Sequence, residues 1–170
     1  MTQIEQDLIE QIRRAFAGVR LEDGISLNMT EYIDAGGCVP EFREKARNDE
    51  REDWAAIADE TLEQFSVTFP FTDLKGIKFY IPAYMSWSIR NHRTSWSGIA
   101  DLTIYAIDPL SHHFDSIPFR SWFNSAQVEA MAAFLEYAVA NDETMDGQAA
   151  AKNLARIADP LREPPTAIRF

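Results

Sequence analysis

The sequence predicts an all-α fold, a single domain of about six to seven helices over residues 1–158. Three observations predict it. Apolar residues recur at helical spacing in several separate segments. The most apolar stretch, FPFTDLKGIKFYIPAYMSWSIRN (69–91), reads as a central proline-kinked helix over 72–89. It is apolar on most of its girth, and such a helix is buried on most of its girth. The β-rich run LTIYAI (102–107) has no obvious second strand to pair with. At 170 residues, 46% of them apolar and 25% charged, the chain has globular composition and enough length for a real core.

Ile4, Leu8, Ile9, Ile12 and Phe16 predict a first helix that Gly18 ends. Residues 18–38 read as loop, punctuated by Gly18, Gly24, Gly36 and Gly37, with a short helical turn at Thr30–Ile33. Pro40 suits the first turn of a short helix over 38–48. Asn48 or Asp49 then caps a helix over 50–65, with Trp54, Ile57, Ala58, Leu62 and Phe65 on one face. Residues 66–71 are expected to be extended, because the residue before Pro70 is pushed out of the α region. Thr72 is the expected N-cap of the central helix. Phe79, Ala83 and Trp87 line one side of it, Ile77, Ile81, Tyr84 and Met85 the other, and Lys75 and Lys78 reach solvent. Residues 99–107 fit a helix through Ile99, Leu102, Tyr105 and Ala106, and fit a short strand equally well; helix is favoured. Residues 111–123 read as irregular. Ser125 caps a helix with Val128, Met131, Ala132, Leu135 and Ala138 facing inward, and a last helix follows Gly147. Residues 159–170 hold three of the eight prolines and are expected to form an extended tail.

Pro82 is the anomaly. Inside a helix it removes the hydrogen bond to the Lys78 carbonyl, at a cost of roughly 3 kcal/mol. A marginally stable domain keeps such a residue only where packing around a bend offsets that loss. Tyr80 and Tyr84 flank it on a shared face. The string Thr72…Tyr80-Ile81-Pro82-Ala83-Tyr84 resembles the core of an uncharacterised bacterial family, domain of unknown function 6714. So do a first helix ending in Phe16, the turn LEDGIS, Trp54, and a later helix carrying Gln127, Phe134, Leu135 and Tyr137. The likeness covers about residues 8 to 140. The chain departs from the family pattern at Asp73-Leu74, at Gly76, where a helix-friendly residue is usual, and in having one Asp in the turn rather than two. The family brings no established activity. Proteins of this kind resemble small acidic ones found near contact-dependent toxin systems, which implies an immunity or inhibitor role.

The net charge of −11 disfavours nucleic acid as a partner, since phosphate binding needs clustered Lys and Arg. Residues 1–63 hold 16 acidic and 7 basic side chains, a net −9 that would steer a basic protein partner. The expected contact residues are Glu22, Asp23, Glu31, Asp34, Asp49, Glu50, Glu52 and Asp53. The single cysteine, Cys38, excludes a disulfide framework and a zinc-thiolate site. The N-terminus has no signal-peptide pattern and no stretch approaches a membrane span, so cytoplasm is the expected location. No cofactor is expected. His112 and His113 with Asp108 and Asp115 lack metal-site spacing. Ser95 and Ser97 near His92 do not form a nucleophile elbow. The one tight basic cluster is Arg90–Arg93, at the end of the central helix. The leading function is a non-catalytic acidic binding protein, an immunity-type inhibitor. An enzyme using the loop histidines and nearby carboxylates, and an oligomerising module, remain as alternatives.

Overall fold

The computed structural model describes residues 1–158, so the expected extended tail at 159–170 lies outside the described residues. Nine α-helices occur there, with no strand among the described residues. Helix α1 (Gln3–Ala15) opens on a capping box: Thr2 Oγ1 accepts from Glu5 N, and Glu5 Oε2 accepts from Thr2 N at 2.6 Å. Helix α2 (Leu27–Asp34) is longer than the single turn expected at 30–33. Helix α3 (Pro40–Lys45) begins on Pro40, whose missing N–H needs no intrahelical partner at that position.

The helix expected over 50–65 does not form as one piece. A 3-10 turn at Trp54–Ala56 and the short α4 (Asp59–Gln64) take its place. Local side chains capture the backbone donors that a helix would use. Glu50 Oε1 accepts from Glu52 N and Asp53 N, and Asp53 Oδ1 accepts from Ala55 N. Asp49 caps nothing there; it binds Asn28 through both backbone N and side-chain Nδ2. Trp54 is buried instead by the fold, its Nε1 donating to Phe16 O at 3.0 Å. The extended connection expected at 66–71 contains a 3-10 turn, Phe69–Phe71.

The central helix α5 runs Leu74–Asn91, continuous through Pro82. Its N-cap is Asp73, which accepts from Gly76 N at 2.8 Å; Thr72, the expected cap, donates instead to Ile25 O. All residues from Phe79 to Ile89 are buried, on every side of the helix. Helices α1, α4 and α6 and the Trp54 turn surround it. Tyr84 donates to Phe65 O at 2.6 Å, which ties the helix to the end of α4. Lys78 does not simply reach solvent. Its Nζ donates to Trp122 O at 2.8 Å over the Trp122 ring, and burial lowers its pKa.

Gly76 has a packing reason. A Cβ there would meet Thr72 Oγ1 at 1.8 Å and Ile25 O at 3.0 Å. Alanine normally favours a helix interior over glycine by about 1 kcal/mol. Here it would eject Thr72 from its bond to Ile25, an overpacking cost of roughly 1–3 kcal/mol. Gly76→Ala is therefore expected to destabilise the protein in urea unfolding. An unchanged or raised midpoint would show that Thr72 swings aside freely.

Residues 99–107 resolve as helix: α6 (Ile99–Ala106) follows Gly98, whose φ is 70°. The short α7 (Phe119–Trp122) lies within the stretch read as irregular. Helix α8 (Ser125–Val139) is capped by Asn124 rather than Ser125, in a box with Gln127. Helix α9 (Gly147–Ala158) packs on α8 and α6. Among the described residues no helix is long and apolar enough to cross a membrane.

Candidate functional site

A polar chain running from the buried Glu5 and His92 to the surface lies where α5 ends. His92 is the C-cap of α5, Tyr137 sits in the last turn of α8, and Thr144 lies in the turn before α9. The α1 capping box places Glu5 in the first turn, on the same inward face as Leu8 and Ile12. Its side chain is 2% exposed. Glu5 Oε1 accepts from Arg93 Nη1 at 2.6 Å and from the Tyr137 hydroxyl at 2.9 Å. Burial opposes its ionisation, but hydrogen bonds from Arg93, the Thr2 backbone and Tyr137 outweigh burial and hold the carboxyl at about 2. Burial, then the bond to Glu5, push the Tyr137 phenol up to about 12.

Hydrogen-bond counting assigns the His92 tautomer. Tyr137 has one proton and gives it to Glu5, so its oxygen accepts at 2.9 Å from His92 Nε2–H. Nδ1 of the neutral ring is then the acceptor for the Thr144 hydroxyl at 2.7 Å, the nearer of that hydroxyl's two acceptors, the other being Asn141 O at 3.3 Å. Burial first, and the Arg93 charge second, lower the His92 pKa and keep the ring neutral.

Beyond Thr144 opens a groove of about 480 Å³ between the 92–101 and 142–146 segments. An adjoining pocket of about 200 Å³ reaches Trp87 and the start of α6. His92, Ser95, Trp96, Asp101 and Thr144 line both. Trp96 is fully exposed at the lip. Asp101, Asp142, Glu143 and Asp146 supply carboxylates. Asp101 Oδ1 accepts from Asp146 N at 2.8 Å, and Asp146 accepts from Tyr105 and from Ala149 N. The groove's one cation, Arg93, is committed to Glu5.

The acidic residues expected to form the contact are dispersed into structural work. Glu22 and Asp23 both pair with Lys75, Glu22 at 2.9 Å; Glu22 itself has a φ of 55°. Glu52 pairs with Arg20 at 3.1 Å. Asp49, Glu50 and Asp53 hold the backbone and Asn28 contacts described above. Glu31 is half-buried and Asp34 exposed at the end of α2. The basic cluster is paired at the surface: Arg90 with Asp59 and Arg93 with Glu5, with His92 buried between them. His112 and His113 stack with ring centres 3.9 Å apart, while Asp108 pairs with Arg156. Among the described residues no group of three His, Cys, Asp or Glu is placed to hold a metal ion. Sequence reasoning missed Glu5, Tyr137, Thr144, Asp142 and Glu143 as a cluster. Only the Thr2–Glu5 capping spacing was visible, and it gives no sign of Arg93, 88 residues away.

No curated protein and no solved structure matches the chain. A family model does match residues 4–157, nearly the whole of the described fold. The chain is a member of the family of unknown function DUF6714.

Proposed function

We propose that the chain is a non-catalytic binding protein for a basic protein partner, an immunity-type inhibitor acting in the cytoplasm. One observation carries this reading. Lys75, Arg20, Arg90, Arg93 and Arg156 are each engaged by a carboxylate of the chain itself. Carboxylates outside these pairs, among them Asp34, Glu44, Glu63, Asp142 and Glu143, are exposed on a chain of net charge −11, and such a field favours a basic surface over a nucleic acid. Affinity capture from the host, followed by identification of the partner, tests it. A partner of high isoelectric point is expected, whose affinity falls steeply between low and high salt. A neutral or acidic partner, or one held equally well at high salt, would overturn the reading.

A second reading, a small enzyme, is favoured by one contact. Thr144 Oγ1 meets His92 Nδ1 at 2.7 Å, and Tyr137 and Glu5 orient the ring, as a hydroxyl and base would be arranged. Thr144→Ala removes the hydroxyl on an exposed turn. Any hydrolytic activity of the pure protein that survives this change excludes the pair.

A further inference from the structure

We propose that the cavity between the α1–α2 loop, the start of α5 and the α7–α8 junction binds a small organic monocarboxylate. Lys78 Nζ and the Gln127 amide hold the anionic end, and the apolar body lies against Trp122. This goes beyond the basic-partner reading and does not rest on it.

The cavity spans about 390 Å³, within the roughly 300–1,000 Å³ of small-molecule sites. Ala15, Val19 and Trp122, each half-buried against the core, form its apolar wall. Its charged lining is Arg20, Lys75, Lys78 and one carboxylate, Glu22. Arg20 is paired with Glu52 at 3.1 Å, and Lys75 holds Glu22 at 2.9 Å. Lys78 is half-buried and forms no ion pair among the described residues. Its Nζ has one acceptor, Trp122 O at 2.8 Å, so two of its three protons are uncommitted. Burial alone shifts its pKa, downward, with no anion near enough to oppose the shift. A half-buried ammonium without a counter-charge is unfavourable, and an anion reaching it through the cavity relieves that.

Gln127 supplies a second, independent observation. It is 3% exposed, at the third position of α8, and its Oε1 accepts from Asn124 N in the capping box. That bond directs Nε2 away from Asn124 N. Nε2 has no acceptor among the described residues, and it is not one of the side-chain atoms closed off from solvent. A donor on so buried a side chain, at the wall of a cavity, is placed to bond what enters it. Asn124 and Gln127 also bring the positive end of the α8 dipole to the cavity.

Charge selects the ligand. One unpaired ammonium balances one negative charge, and the field of a chain of net −11 penalises a second. The apolar wall favours a hydrocarbon body behind that charge. A monocarboxylate meets both conditions; inorganic phosphate, more highly charged and without apolar surface, meets neither.

Phenylacetate is the probe, titrated into the nitrogen-15-labelled protein up to millimolar concentration. The Trp122 indole and Gln127 side-chain amide resonances are expected to shift together. Those of Trp87 and Trp96, which do not line this cavity, are expected to stay. Phenylacetamide keeps the shape and loses the charge, and is expected to bind at least about tenfold more weakly. Gln127→Glu keeps the capping-box acceptor but replaces the donor with an anion, and Lys78→Met keeps an apolar stem without the charge. Each should weaken phenylacetate at least about tenfold. Unmoved Trp122 and Gln127 signals, or equal binding of phenylacetamide, would overturn the proposal. So would full affinity in either variant, its fold checked by its amide spectrum. Inorganic phosphate binding more tightly than phenylacetate would also overturn it, since the site would then be one for phosphate groups.

Discussion

Alanine at Phe79 and alanine at Ile81 are each expected to cost several kcal/mol, roughly 3–5 for the first and 2–5 for the second. The two residues lie about 200° apart around α5. In a helix with one face in water, one of the two would be near neutral. Both are 0% exposed here, and the helix meets neighbours on all sides. Either loss is a large share of the 5–15 kcal/mol that typically holds a domain together. Urea unfolding at equilibrium reads both. A near-wild-type midpoint for either variant would mean that α5 is not enclosed, and the account of why Pro82 is tolerated would go with it.

Arg93→Ala is the second large effect. It leaves the Glu5 carboxylate buried with only Thr2 N and Tyr137 as donors. Breaking a buried pair costs roughly 3–5 kcal/mol; the low end applies, because the Arg93 side chain is 52% exposed and water reaches its place. The loss has a pH signature. A carboxyl held at about 2, against 4.5 in the unfolded chain, binds its proton more weakly folded than unfolded. Its contribution is therefore complete above pH 4.5 and is lost as the pH falls toward 2. The gap in stability between parent and Arg93→Ala should shrink over that window. A gap that stays constant down to pH 2 would assign the loss to the packing of the Arg93 stem rather than to its charge.

The elements that periodicity revealed are those whose apolar pattern is carried by the local chain. Ile12 in α1, Phe16 at its C-cap, Trp87 in α5 and Val128, Met131, Leu135 and Ala138 in α8 are buried where their spacing placed them, while Ala132 is only half-buried. The errors fall where a side chain chose a distant or non-helical partner. Trp54, Leu62 and Phe65 are buried, yet Glu50 and Asp53 hold their segment in turns. Thr72 looked like a cap and instead reaches back to Ile25. The strand option at 102–107 closed only when α5 and α9 offered Ile104 and Ala106 a surface to pack on. Gly76, a departure from the family pattern, has its reason in the loop that crosses it.

The candidate groove was legible in fragments. The Arg90–Arg93 cluster and the Ser95–Ser97 turn were visible, but which charges are spent inside and which face outward was not. Sequence alone determined the helical class, the family and the burial of the central rod, because each rests on patterns local to individual segments and on their order along the chain. Tertiary structure alone decided that Glu5 meets Arg93 and that Trp96 shares a groove with Asp142 and Glu143. Those pairings join residues from distant segments, and a contact between distant parts of the chain exists only after the helices have packed.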